Sequence, residues 1–174
     1  MSLPYRILTV CLGNICRSPM SEYMLRAAFD EAGLGDEVEV TSAGTSAEEA
    51  GNRMDRRAVA ALRRNGVPDL GWSSHRARRF DSRWFDDVDL VLANDLVHDQ
   101  TLRKLARRAD PSGEYDTKVR LLRSFDPEAM ERGDLRMADP WYGDDSDFDI
   151  TFEQIQAATP GVVEFVREEL ARRR

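Results

Sequence analysis

Short apolar strand patterns alternate with helical ones along this chain, and that alternation leaves few folds open. Arg6 to Val10 reads as a buried strand, Val38 to Ser42 as a second, Asp89 to Ala93 as a third and Lys118 to Leu122 as a fourth. A helix opens at Ser18-Pro19, where Ser suits the cap and Pro the first helical position. It takes early negative charge from Glu22, carries Met20, Tyr23, Met24, Ala27 and Ala28 at helical spacing, and ends at Ala32 to Gly35. Asp55 to Asn65 is helical, with Ala58, Val59 and Leu62 inward and Gly66 as the stop. Leu96 to Arg107 follows, and Thr151 to Arg172 closes the chain, with Pro160-Gly161 expected to kink or split that helix. Strands joined through helices at this spacing pair in parallel and need helices on both faces. The expected fold is α/β: a single three-layer, Rossmann-like domain over residues 1–174 with four parallel strands. The 174 residues suit one domain, and no repeat, low-complexity segment or linker divides them.

In such sheets ligands bind beyond the carboxyl ends of the strands. The segment there is Val10-Cys11-Leu12-Gly13-Asn14-Ile15-Cys16-Arg17-Ser18-Pro19. A loop wound around a helix N-terminus turns its amide N–H groups inward, where they and the helix dipole can hold the oxygens of a phosphate. Leu12, Gly13, Asn14, Ile15 and Cys16 supply that loop. Gly13 is expected to allow close approach and positive φ, and Asn14 tolerates left-handed geometry. Cys11 lies at the mouth of the cradle, whose field favours thiolate over thiol, and a thiolate can attack phosphorus. Arg17 offers a planar fork to two phosphate oxygens. Ser18 can donate a hydrogen bond to the sulfur. A Cys with an Arg six residues later says little alone, and a strand-end Cys is commonly just a small buried residue. The weight lies in the combination with the apolar strand, Gly-Asn and Ser-Pro. An ATP-type P-loop is excluded because no Gly-Lys-Ser/Thr follows.

Composition narrows the partners. A net charge of -7 argues against a dedicated nucleic-acid binder. The local basic runs, Arg76 to Arg83 and Arg103 to Arg108, read as solvated faces, with a rim that draws anionic substrates as the alternative. No apolar run approaches the ~20 residues that span a bilayer. Two cysteines make no secreted disulfide framework, and the first strand leaves no room for a signal peptide, so the cytoplasm is the expected compartment.

The loop resembles the signature of low-molecular-weight protein tyrosine phosphatases. Ser42-Ala43-Gly44-Thr45, His75-Arg76-Ala77-Arg78 and Asp139-Pro140-Trp141-Tyr142-Gly143 resemble further motifs of that family, in order, from about Tyr5 to the last helix. The resemblance implies the phosphotyrosine phosphatase I type of this fold. It implies Cys11 as nucleophile, Arg17 as phosphate clamp, Ser18 as partner of the leaving sulfur, and Asp139 as acid and then base. Asp-Pro is otherwise a common turn starter; Asp110-Pro111 and Asp126-Pro127 lack the aromatic pair. Trp141 and Tyr142 would wall the cleft, with Trp141 where the family more often has Tyr. On the opposite wall Ala47-Glu48-Glu49 lacks the family's aromatic, which disfavours acidic phosphopeptides. Asn14 and His75 would hydrogen-bond and support the loop. Cys11 and Cys16 would form a reversible protective disulfide, against the plainer reading of Cys16 as loop filler.

The partner implied is a phosphotyrosine protein, a tyrosine kinase among the candidates, with no metal or cofactor and a monomer favoured. Three rival readings differ at named residues. Arsenate reductases of this fold need downstream cysteines, and none follows Cys16. Protein-arginine phosphatases typically carry Thr where Ile15 stands. A non-catalytic phosphate-binding or redox-sensing module would bind without turnover.

Overall fold

A computed structural model describes residues 3–174, so the first two residues of the expected 1–174 domain lie outside it. Four strands form one parallel sheet: β1 (Tyr5–Cys11), β2 (Val38–Gly44), β3 (Leu90–Ala93) and β4 (Val119–Leu121), in the order β2-β1-β3-β4. Six helices accompany them: α1 (Arg17–Glu31), α2 (Arg56–Arg64), α3 (Leu96–Ala109), α4 (Glu114–Lys118), α5 (Pro127–Arg132) and α6 (Asp145–Arg173). Alternation along the strands divides the apolar residues between two layers. Ile7, Val40, Leu90 and Leu92 pack with Leu25 and Phe29 of α1, Leu62 of α2 and Phe148, Ile155 and Val166 of α6. Leu8, Val10, Val91 and Ala93 pack on the other face with Leu102 and Ala106 of α3 and with Phe80 and Phe85. The expected α/β fold, with its parallel four-stranded sheet and helices on both faces, is present.

Strand β1 has β2 on one side and β3 on the other. The strand order reverses there, which opens a crevice at its carboxyl end, and the loop after Cys11 occupies that crevice.

Three expectations at helix ends are corrected. Helix α1 begins at Arg17, with Cys16 rather than Ser18 in the cap position. Ser18 is fully buried and its hydroxyl serves the loop, so it cannot cap; Pro19 fits because an amide in the first turn has no helical partner anyway. Glu22 does not supply charge to the helix start as expected: with α1 beginning at Arg17 it falls beyond the first turn, and it lies buried, bound to Arg26 and Ser42. Helix α6 runs unbroken for 29 residues through Pro160. Buried Phe148, Phe152 and Ile155 before the proline and Val162, Val166 and Leu170 after it hold both halves to the core, outweighing one lost backbone bond. Gly161 permits that packing, since a Cβ there would lie 2.2 Å from the Phe125 carbonyl oxygen. Its start, missed in the sequence, is a capping box in which Asp144 N–H donates to Asp147 and Asp144 accepts from Ser146 N–H.

Candidate active site

Asn14 fixes the shape of the loop. It is the only non-glycine residue at positive φ (62°) among the described residues. Its Nδ2 donates to Ser18 Oγ at 2.8 Å and Ser42 Oγ at 2.9 Å, and its Oδ1 accepts from the Arg78 amide at 3.0 Å. His75 Nε2–H donates to the Asn14 carbonyl at 2.8 Å, while His75 Nδ1 accepts from Tyr23 O–H at 2.9 Å. The Asn14–His75 support is therefore a ring-to-backbone bond. Burial first, against the bond to Asn14, holds His75 below its ordinary pKa, which keeps the ring neutral. Behind Ser42 sits Glu22, whose carboxyl is pushed up by burial and pulled back by Arg26 and Ser42. Ser42 opens the Ser-Ala-Gly-Thr motif noted in the sequence, but nothing local there shows its bond to Asn14, and Glu22 is one of several polar residues in α1.

Gly13 does not take positive φ, contrary to the sequence expectation, because Asn14 takes that turn instead. The glycine that the geometry requires is Gly44 at the end of β2. A Cβ on it would lie 2.4 Å from the Leu12 carbonyl oxygen and 3.1 Å from the Asn14 amide nitrogen. Two amides just beyond it, Thr45 and Ser46, donate to the carbonyls of Cys11 and Leu12 and strap the loop from outside. The amides of Gly13, Asn14 and Ile15 donate to no other protein group among the described residues, leaving them to an anion.

Cys11 is the last residue of β1, its Sγ 3.1 Å from Ser18 Oγ. Ser18 Oγ accepts from Asn14, so its own proton turns to the sulfur or to the Ala43 carbonyl at 3.2 Å. Cys11, Leu12, Gly13, Ile15, Cys16, Arg17, Asp139, Trp141 and Tyr142 line one cleft of about 150 Å³, together with Ser46, Glu48 and Glu49. The structure thus brings Cys11, Leu12, Gly13, Ile15, Cys16, Arg17, Asp139, Trp141 and Tyr142 together, while Asn14, expected among the phosphate-binding residues, does not line the cleft, nor do Ser18 and His75. Cys16 is buried and its thiol is pushed well up, by burial and then by Asp55 and Cys11, so it stays protonated at neutral pH; both cysteines are free.

The Arg17 side chain is 5% exposed, and its guanidinium ties three parts of the chain together. Nη1 donates to the Met137 carbonyl at 2.9 Å and lies 3.8 Å from Asp95 Oδ2; Nη2 lies 3.3 Å from Asp139 Oδ2. The Met137 amide donates in turn to Asp95 Oδ1 at 3.0 Å. One residue, Met137, two before Asp139, is thus held at both its amide and its carbonyl. Asp139 caps its own turn by accepting from the Trp141 amide at 3.1 Å, and Arg57 holds that turn through the carbonyls of Trp141 and Gly143. Asp95, Met137 and Arg57 were invisible in the sequence because their partners lie 42 to 120 positions away or are backbone atoms.

A buried thiol at the end of a strand beside a loop with amides unpaired among the described residues, a buried guanidinium fork and a partly exposed carboxylate in one cleft are the parts of a phosphatase that works through cysteine. The sequence pattern of the low molecular weight phosphotyrosine protein phosphatase family matches residues 6–172. The chain is 44% identical over 169 residues to a Streptomyces coelicolor low molecular weight protein-tyrosine-phosphatase, covering 97% of both chains. It is 42% identical to low molecular weight protein-tyrosine phosphatase A of Mycobacterium tuberculosis over 99% of this chain and 98% of that one. Among solved structures, YfkJ from Bacillus subtilis superposes with a TM-score of 0.83 at 26% identity, covering 97% of this chain and 98% of that one. The protein belongs to the low molecular weight phosphotyrosine protein phosphatase family.

Proposed function

We propose that this protein hydrolyses phosphotyrosine in proteins through a phosphocysteine at Cys11. The observation that carries the reading is the shared cleft, in which Cys11, Arg17 and Asp139 face one space at the end of β1. The phosphoryl group enters the loop, its oxygens taking the free amides and the Arg17 fork. The Cys11 thiolate attacks phosphorus, and the bond to the tyrosine oxygen breaks as Asp139 gives that oxygen a proton. Water then attacks phosphorus and loses a proton to Asp139. The phosphorus–sulfur bond breaks, and the thiolate leaves toward the Ser18 hydroxyl. The loop, Arg17 and Asp139 supply the charge and proton handling without a metal or cofactor. The test is phosphate release from a phosphotyrosine peptide by freshly reduced protein in chelator, beside phosphoserine and phosphoarginine peptides. Turnover of phosphotyrosine well above both supports the reading; faster phosphoarginine release replaces it with an arginine phosphatase, and binding without release with a phosphate-binding module.

The cleft rim defines the substrate class. Exposed Trp141 and Tyr142 line the cleft together with Glu48 and Glu49. Glu49 is held in place by Asn52 Nδ2 at 2.7 Å. Two carboxylates and two aromatic rings in one cleft suit phosphotyrosine flanked by Lys or Arg. Glu48→Gln with Glu49→Gln is expected to lower kcat/KM for a Lys/Arg-flanked peptide by about 3- to 10-fold at low salt and to raise it for an Asp/Glu-flanked one. An aryl phosphate should be indifferent; equal changes on both peptides would remove the rim from specificity.

Cys16 serves, in this reading, as a reserve thiol. Peroxide converts the Cys11 thiolate to sulfenic acid, and the Cys16 thiol condenses with it, releasing water and closing a disulfide that a dithiol reopens. Cys16→Ala is therefore expected to recover less activity than wild type after peroxide and reductant. Equal recovery makes Cys16 a packing residue only.

A further inference from the structure

Five N–H bonds leave the Arg17 guanidinium, and the protein uses them unevenly. Nη1 is bound to Met137, Nη2 is beside Asp139, and the buried Nε has no partner among the described residues. Nη2 has a second neighbour, His98 Nε2, at 3.5 Å. His98 is 2% exposed and is the third residue of α3; it does not line the cleft.

The protonation of this ring decides what it does there. The Asp95 amide N–H points at His98 Nδ1 at 3.1 Å, so Nδ1 is an acceptor. Burial first, and the Arg17 charge second, push the ring's pKa down to about 4 against the pull of Asp95. The neutral ring then carries its one proton on Nε2. Nε2–H and the Nη2 of Arg17 are both donors, so their 3.5 Å approach is a contact without a bond. The other tautomer would only move the conflict to the Asp95 amide, at the shorter 3.1 Å.

We infer that His98 is a positioning residue for Arg17: a rigid, donor-bearing stop that denies Nη2 an acceptor on α3 and keeps it beside Asp139. The unpartnered Nε edge is then left to the phosphoryl oxygens. Met137 and Asp95 hold the guanidinium, and His98 limits where it can go. An acceptor at this position would draw Nη2 away from Asp139 and tilt the fork off the phosphate. The inference rests on Arg17 being the phosphate clamp proposed above.

His98→Gln separates this role from helix capping. A Gln carbonyl at the third helical position still accepts from the Asp95 amide, so folding and melting temperature should stay near wild type. Its second lone pair is open to Arg17. The expected result is a loss of about tenfold in kcat/KM on an aryl phosphate, with weaker inhibition by inorganic phosphate, that disappears when the same change is made in Arg17→Lys. Wild-type kcat/KM in folded His98→Gln, or the same fold-loss in both backgrounds, overturns the inference. If His98→Gln does not fold, His98→Asn enters the same cycle under the same criterion. A nearly wild-type Arg17→Lys would overturn the clamp itself, a failure distinct from that of His98.

Discussion

Cys11→Ser is expected to lose turnover by ~10⁴-fold or more while still binding phosphopeptide. A serine hydroxyl at the end of β1 has nearly the shape of the thiol, so the loop around it should not rearrange. Its oxygen stays protonated at neutral pH and is a poor nucleophile toward phosphorus. The amides, the Arg17 fork and the Asn14 network remain in place, so the dianion still finds its partners. Stopped turnover with retained binding of the intact phosphopeptide is the signature, measurable by phosphate release and by the fluorescence of Trp141 at the cleft wall. Residual turnover within tenfold of wild type would mean that water attacks phosphorus directly and that the sulfur is not the nucleophile. Loss of binding with loss of turnover would instead report a collapsed loop.

The second large effect is at Asp139. Asp139→Asn should lower kcat by roughly 10²–10⁴-fold for phosphotyrosine, whose phenolate needs a proton on leaving. For an aryl phosphate with a strongly acidic leaving group the loss should be much smaller. The Arg17 ion pair could confuse this result, because Asp139 Oδ2 lies 3.3 Å from Nη2. Inhibition by inorganic phosphate distinguishes the two roles. Removing a negative charge beside a bound dianion should leave phosphate binding as tight or tighter, whereas a displaced Arg17 would weaken it. Equal losses across leaving groups, or weaker phosphate binding, would take the acid role from Asp139.

The strands, the loop and the cleft residues were legible in the sequence because each rests on a local pattern. Apolar runs marked β1 and β3, Gly-Asn marked the tight loop, and Asp-Pro followed by two aromatics marked the turn that carries Asp139. Boundaries failed where a local pattern was recruited for something else. Ser18-Pro19 looks like a helix start, yet Ser18 faces the sulfur and Asn14. Pro160 looks like a break, yet the core on both sides of it overrides the proline. The supporting shell was illegible for another reason. His98 reads as one more polar residue in a solvated helix, and only the fold puts its ring against Arg17. Asp95 looks like an ordinary cap, and only the fold brings Met137 and Arg17 to its two oxygens.

Asn14, Ser42 and His75 hold the loop by bonds within the protein, and on the function proposed above it meets the phosphoryl group rather than what that group is attached to. Chemistry and choice are therefore carried by different atoms. The cradle would accept spent phosphate as readily as a new substrate, so product would compete for it. Discrimination among phosphorylated proteins falls to a few rim side chains, Glu48, Glu49, Trp141 and Tyr142, which hold up none of the reacting groups. Such a rim is free to drift, and a lineage could change clients many times over without retuning its catalyst.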